Sequence, residues 1–363
     1  MKNLLYLSDC SLPNKSAYAV HIMKMCDAFA KKFKVDLIVN SSSTNQKKIF
    51  TDYNMKNKVN IIPLNNLKKK DFLSKLINAY KTYKIIKKNN YNFIISRNVF
   101  LSFFLANLNV RNTIEIHTEL SGFTKQLFNY SSKKKLKKNL KFIFIHKSLN
   151  NYFNFKKSYI VLDDAIDLSD FEKIKTRQVS NKFVYTGSYL KGKGIELILD
   201  IAEYFKKYKF CLYGNIDTFP KDLIERQKGI KNLELNDHIP YKKIPKILKS
   251  AEFLLMPYPK RIEVLIKNIN VKNYISPLKM FEYLASKKII FASKNESYKH
   301  ILKNNYNSIM IETENTKQWI QKISFVIRNK KKFLVLKKNS FTTAQKFTWD
   351  RRSKKIIEFS YEK

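Results

Sequence analysis

Short apolar runs alternate with stretches of helical spacing along nearly the whole chain, and this alternation constrains the fold more than any single motif. Runs at 4–8, 35–39, 59–63, 93–95, 113–116 and 142–145 form a first series, with helical patterns at 19–33 and 68–88 among them. A second series has runs at 183–185, 210–213, 232–235, 253–256 and 289–292, with helical patterns at 195–206, 243–250 and 278–285. Runs that are apolar throughout suit strands covered on both faces, which is the condition of a parallel sheet flanked by helices. The reading is α/β: two Rossmann-like doubly wound halves that meet near residue 170. The expected domains are 1–170, 171–345 and a tail helix in 346–363 that packs back toward the first domain. A length of 363 residues accommodates two cores, and only six glycines and eight prolines argue against long linkers. No repeat of solenoid period is found.

Several classes drop out. Met1-Lys2-Asn3 leads into Leu4-Leu5-Tyr6-Leu7, too short for a secretory core and better read as a first buried strand. The apolar run at 99–108 is about half the length of a spanning helix and contains Ser102 and Asn107. Cys10, Cys26 and Cys211 are widely spaced, without a CxxC or Cys/His cluster, so neither a disulfide framework nor a metal site is expected. A cytoplasmic chain is the reading. The net charge of +42 invites nucleic acid or an anionic membrane as partner, yet only eight of the 71 basic residues are arginine, whose fork suits phosphate and base edges. No helix-turn-helix, zinc finger or aromatic RNA-binding motif is present, so no nucleic acid is expected. The basic segments 68–88 and 132–141 interleave lysine with Leu, Ile, Tyr and Phe, which suits either a solvated helix face or a helix lying on an anionic surface.

Ser276-Pro277-Leu278-Lys279-Met280-Phe281-Glu282-Tyr283-Leu284-Ala285 places a turn former before a helix and a carboxylate one turn inside it. Pro277 suits the first helical position. The N–H groups of Leu278, Lys279 and Met280 are then expected to face an anion, and Glu282 to accept hydrogen bonds from a ribose. The layout alone is common to many proteins. In Phe183-Val184-Tyr185-Thr186-Gly187-Ser188-Tyr189-Leu190-Lys191-Gly192-Lys193-Gly194, Lys193 stands between a strand-turn and an apolar helix, where a lysine meets phosphate. His117, in Thr113-Ile114-Glu115-Ile116-His117-Thr118-Glu119, lies just past a buried strand, where open α/β sheets place ligand groups; a structural core histidine is the competing reading. His21, His146, His238 and His300 read as structural.

In this order the segments resemble the retaining, nucleotide-sugar-dependent glycosyltransferases of the GT-B fold, family four (glycosyl transferases group 1). Asp237-His238-Ile239-Pro240-Tyr241 is similar to the loop that contacts the donor base in that family. Ala251-Glu252-Phe253-Leu254-Leu255-Met256-Pro257 resembles the strand that follows. Ser276 to Ala285 resembles an SPLK-x-FEY version of the paired-glutamate motif. Val161-Leu162-Asp163-Asp164-Ala165-Ile166-Asp167 resembles the interdomain crossing, and Phe347-Thr348-Trp349 the entry to the final helix. The resemblance implies two domains facing across a cleft. It implies donor contacts at Gly187, Ser188, Lys193, Ile239, Ser276, Pro277, Leu278, Lys279 and Glu282, and His117 as the active-site histidine. Ser16, Tyr18 and Arg97 fall on the acceptor side. The chain departs from the pattern at Tyr274, where the first motif glutamate stands, and at Ser188, where an arginine is common.

The implied activity is metal-independent hexosyl transfer (EC 2.4), without cofactor, from a nucleotide diphosphate sugar to a saccharide acceptor on a lipid carrier, with retention. The implied setting is cell-surface polysaccharide synthesis such as lipopolysaccharide or capsule, at the inner face of the cell membrane as a peripheral protein. The alternatives are a non-catalytic sugar-nucleotide-binding partner of another transferase and a basic nucleic-acid-binding protein.

Overall fold

The computed structural model describes residues 1–64, 72–153, 158–262 and 270–361. It divides into two compact units, Met1–Asp163 with Trp349–Lys363, and Asp164–Thr348.

The strands of the first unit are β1 (Asn3–Leu7), β2 (Ser11–Leu12), β3 (Lys34–Val39), β4 (Ser41–Ser42), β5 (Asn60–Pro63), β6 (Phe93–Ser96), β7 (Asn112–Ile116), β8 (Leu140–Phe144) and β9 (Tyr159–Val161). Seven of them form a parallel sheet in the order β5-β3-β1-β6-β7-β8-β9, while β2 and β4 pair separately. The order reverses between β1 and β6, so the crevice beyond their carboxyl ends is the natural ligand position. Leu4, Leu5, Tyr6 and Leu7 are fully buried, as a central strand covered on both faces requires. Helix Ala17–Ala30 starts where Ser16 Oγ accepts the Ala19 N–H at 3.3 Å, and helix Trp349–Tyr361 packs against it. The apolar run at 99–108 is a helix, Val99–Asn107, with Phe100, Leu101, Phe103, Leu105 and Ala106 buried against the sheet. No described helix is long and apolar enough to cross a membrane.

The basic segment 132–141 does not remain helical. A short helix, Lys133–Asn139, hands over to β8 at Leu140, and both Leu136 and Leu140 are buried in the unit. They are anchors to the core and not side chains that could enter a headgroup layer. Of the other segment, helix Phe72–Lys88 is described, with Phe72 and Leu73 exposed; Lys68, Lys69 and Lys70 lie outside the described residues.

The second unit holds β10 (Lys182–Thr186), β11 (Lys209–Tyr213), β12 (Leu233–Asn236), β13 (Phe253–Met256), β14 (Ile289–Ser293) and β15 (Ile309–Ile311), parallel in the order β12-β11-β10-β13-β14-β15. Its reversal falls between β10 and β13. Phe183 pairs in register with Phe210 and Phe253, and its ring centroid lies 4.7 Å from each, so an aromatic row crosses the middle of the sheet.

Candidate functional site

At the reversal in the second unit the backbone turns sharply beyond β10. Gly187 (φ 143°), Gly192 (φ 81°) and Gly194 (φ 80°) take conformations that side-chain-bearing residues rarely adopt. A Cβ on Gly194 would fall 1.7 Å from the Pro257 carbonyl oxygen, so the start of helix Ile195–Tyr204 sits directly on the chain leaving β13. A cavity of about 450 Å³ opens beside this turn, lined by Lys191, Gly192, Gly194, Pro257, Arg261 and Thr316 among others.

Helix Leu278–Ala285 enters the same end of the sheet. Pro277 is its N-cap (ψ 129°), not its first helical residue, and the Met280 N–H donates to the Pro277 carbonyl at 2.9 Å. The expected set of three free N–H groups is thereby reduced to two, Leu278 and Lys279, because a cap carbonyl tightened the first turn. The helix is fixed by Tyr283, whose hydroxyl accepts the Thr186 N–H at 2.9 Å and donates to the Leu255 carbonyl at 3.2 Å, joining β10 and β13. Ser276 Oγ accepts the Asp164 N–H at 3.1 Å.

The charged groups converge here. Lys279 Nζ lies 3.9 Å from the Tyr185 ring centre and 5.4 Å from that of Tyr258, and Lys193 Nζ lies 5.8 Å from the same Tyr258 centre. Burial, then the neighbouring Lys193, holds the Lys279 ammonium well below the usual lysine range. Glu282 is 7% exposed, and its carboxylate has no hydrogen-bond partner among the described residues. Burial pushes its pKa up to about 7, against the opposing pull of Lys279. Two neighbouring lysines, a buried carboxyl group and two helix N–H groups form a site suited to a ligand with both anionic and hydroxyl parts. Ser188 turns inward locally: its carbonyl accepts from the Tyr185 hydroxyl at 2.8 Å and its Oγ from the Leu190 N–H at 3.1 Å. Ile239 is half-buried on the loop after β12; Tyr241, on the same loop, is close enough to Glu282 for the carboxylate to raise its phenol further after burial has done so.

In the first unit Tyr18 and Arg97 lie together at the reversal. Arg97, whose N–H donates to the Leu7 carbonyl at 2.9 Å, stands 4.8 Å over the Tyr18 ring. The Tyr18 hydroxyl donates to Asp9, a residue passed over in the sequence although it stands two positions beyond the end of β1. Ser16 spends its hydroxyl on the helix cap.

His117 belongs to a buried charge cluster. Glu115, fully buried on β7, accepts the Tyr6 O–H on Oε1 at 2.9 Å, while its Oε2 lies 2.7 Å from Arg352 Nη2, 3.2 Å from His21 Nε2 and 3.7 Å from His117 Nε2. Burial pushes the Glu115 carboxyl up, but Arg352, followed by His21 and His117, overrules it and holds the group well below the usual carboxylate range. The His21 ring meets those of His117 and Trp349 edge-on, each at 5.1 Å. His21, Glu115 and His117 place their ligating atoms within 4.8 Å of one another, close enough for a metal ion, but the Arg352 cation already sits on the shared oxygen and a second cation would have to displace it. One signal for Glu115 was present in the sequence: period-two alternation puts it on the same face as His117. Nothing local announces that His21 and Arg352, distant in the chain, join it.

Residues 168–343 match the family model described as Glycosyl transferases group 1. No curated protein matches the sequence. Similar solved structures include a glycosyltransferase from Rickettsia africae ESF-5, with 13% identity, a TM-score of 0.76 and coverage of 99% of this chain and 98% of that one. A mutant of S. aureus TarM in complex with Fondaparinux, alpha-GlcNAc-glycerol and UDP has 13% identity, a TM-score of 0.75 and 100% coverage of both chains. Anabaena HepE in complex with UDP and glucose has 10% identity, a TM-score of 0.72 and 99% coverage of both. At these identities the likeness is one of fold. The chain has the GT-B glycosyltransferase fold, and its residues 168–343 match the glycosyl transferases group 1.

Proposed function

We propose that the protein transfers a sugar, with retention and without a metal ion, from a nucleoside diphosphate sugar to a saccharide acceptor on a lipid carrier, as a step in building a cell-surface glycan. The observation that carries this reading is Glu282: a carboxyl group 7% exposed, unpartnered among the described residues, one turn inside a helix whose entrance offers Lys279 and two N–H groups. Ribose hydroxyls donate to Glu282. The diphosphate lies against Lys193, Lys279 and the Leu278 and Lys279 N–H groups, which take up charge as the bond from the sugar to the phosphate oxygen breaks. Gly187, Ser188, Ser276, Pro277 and Ile239 shape the walls of the donor site. In the first unit Ser16, Tyr18 and Arg97 receive the acceptor, whose hydroxyl oxygen forms the new bond, and His117 positions a sugar hydroxyl.

Two exposed features of the first unit support the lipid carrier. Phe72 and Phe123, both exposed, pack with ring centroids 5.2 Å apart, and Lys134, Lys135, Lys137 and Lys138 lie exposed on the short basic helix. This combination suits a protein resting peripherally on the anionic cytoplasmic face of a membrane.

Tyr274, buried at the position of the first motif glutamate, favours a second reading, a nucleotide-sugar-binding partner without activity of its own. Incubation with UDP-glucose, UDP-N-acetylglucosamine, UDP-galactose and GDP-mannose, followed by assay of released nucleoside diphosphate, separates the two. Turnover of at least one donor is expected; tight binding with no release of diphosphate, even with a lipid-linked saccharide extract present, supports the partner role instead.

A further inference from the structure

We propose that Lys288 and Lys337, in the second unit near the amino ends of β13 and β14, bind a phosphate-bearing anion. This site lies at the end of the sheet opposite the Lys193 turn and does not depend on the proposed transfer reaction.

The geometry leaves two ammonium groups without a counterion. Lys288 directly precedes β14 and Glu252 directly precedes β13, and these strands pair in register from Phe253 and Ile289 onward. A carboxylate is therefore near Lys288, but it is already engaged. Glu252 Oε1 lies 2.7 Å from Lys330 Nζ, and Oε2 accepts the Asn181 N–H at 2.7 Å. Lys288 Nζ is left with a neutral acceptor, the Gln178 amide oxygen, at 2.8 Å. Lys337, half-buried on helix Leu334–Ala344, has no hydrogen-bond or ion-pair partner for its ammonium among the described residues.

The positive groups act on one another. Burial, followed by Lys337 and Lys249, pulls the pKa of Lys288 down to about 8 against the opposing Glu252. Burial lowers that of Lys337 as well, opposed by Glu252 and reinforced by Lys330. A lysine-rich composition fills solvated faces, where each ammonium keeps its water. Lys288 is 7% exposed, and burying an ammonium without a counterion is costly. The neighbouring chain offers no relief, since no Asp or Glu stands between Glu314 and Asp350, the stretch that supplies Lys330 and Lys337. An anion from outside the chain removes the cost. A phosphate monoester, with a charge of about −1.5 to −2 at pH 7, matches two ammonium groups where a single carboxylate would leave one uncompensated. Lysine binds phosphate as a point charge and needs no bidentate geometry.

Calorimetric titration with sodium tripolyphosphate tests this, beside sedimentation with phosphatidylcholine vesicles containing phosphatidic acid. The intact protein is used throughout, and its Lys193→Ala form serves as the background, so that phosphate held at the Lys193 turn is not counted. That form should bind tripolyphosphate, with a thermal midpoint that rises as the ligand is added. Adding Lys288→Gln and Lys337→Gln should weaken binding by about tenfold or more. Adding Lys331→Gln and Lys332→Gln, both exposed and equal in charge change, should leave it within twofold. Equal losses in the two pairs would show that only overall charge counts and would overturn the inference. Binding in the wild type that vanishes in Lys193→Ala would also overturn it, while supporting the proposed donor site. Vesicle binding that depends on Lys288 and Lys337, with tripolyphosphate inert, identifies a lipid headgroup, and the converse identifies a soluble phosphate compound; failure of both arms overturns the inference. Without ligand, Lys288→Gln should melt at or above the wild-type temperature, because an uncompensated buried charge is gone. A marked fall would mean that the fold itself compensates the ammonium, and the inference would not stand.

Discussion

The ammonium of Lys279 occupies the space that a side chain at Gly187 would need: a Cβ there would lie 2.3 Å from Nζ and 2.8 Å from Cε. The glycine at the end of β10 is thus what lets the lysine reach the Tyr185 ring. Because the obstructing atoms are the end of a flexible chain, the cost of Gly187→Ala should be the strain of its φ of 143°, about 1–3 kcal/mol of stability, while displacing Lys279 and weakening UDP or GDP binding at least fivefold. Denaturant unfolding beside nucleotide titration checks both halves.

Gly194→Ala should behave in the opposite way. Its Cβ would meet a backbone carbonyl at 1.7 Å, which cannot swing aside. The expected cost is on the order of 3 kcal/mol or more, seen as a fall in thermal midpoint with or without nucleotide. A variant of near wild-type stability would mean that the chain after β13 is not packed on this turn.

Glu282 links function to a pH-dependent cost. Its folded-state pKa of about 7 stands above the ordinary 4.5, so the native state keeps a proton that the unfolded chain has lost between those values. Stability is therefore complete below pH 4.5, is lost as pH rises toward 7, and stays reduced above it. Glu282→Gln should remove that loss: near neutral at pH 4.5, and more stable than wild type at pH 8 by up to about 3 kcal/mol. The same variant should bind nucleotide less well. Equal stability changes at the two pH values would contradict the burial of an unpartnered carboxyl group.

The elements around the sheet reversal of the second unit were largely legible in the sequence because they are local. Helix Leu278–Ala285 covers the run that its spacing indicates, although Pro277 caps it and does not open it, and the strand-turn before Lys193 carries its glycines in order. The detail that failed, the engagement of the Met280 N–H by Pro277, is a matter of one turn's tightening. In the first unit, local pattern misled at 132–141, since lysine interleaved with leucine looks like a surface helix whether Leu136 and Leu140 face a membrane or the core. The Glu115 cluster was hidden for another reason. Tyr6, His21, Glu115 and Arg352 come from four separate elements, and only the tertiary fold places them on one carboxylate.

Membrane contact should be carried by lysine charge and a small aromatic tip. Replacing Lys134, Lys135, Lys137 and Lys138 with glutamine should release the protein from vesicles containing phosphatidylserine at least tenfold, since each lysine near such a surface contributes about 1 kcal/mol or less. Lys133 is kept, as its Nζ lies 3.5 Å from the Phe128 ring centre. Binding that survives both the substitutions and high salt would show these lysines to be solvated faces.

The central claim is that Lys193, Lys279 and Glu282 hold a nucleoside diphosphate, and calorimetric titration of the intact protein with UDP, GDP and ADP tests it most directly. At least one nucleotide should bind, and Lys193→Ala should weaken that binding by about ten- to hundredfold, as loss of a charge-assisted contact worth roughly 1.5–3 kcal/mol requires, while the exposed control Lys231→Ala leaves it within twofold. Binding that is absent for all three nucleotides, or that falls equally in the two variants, would contradict the account.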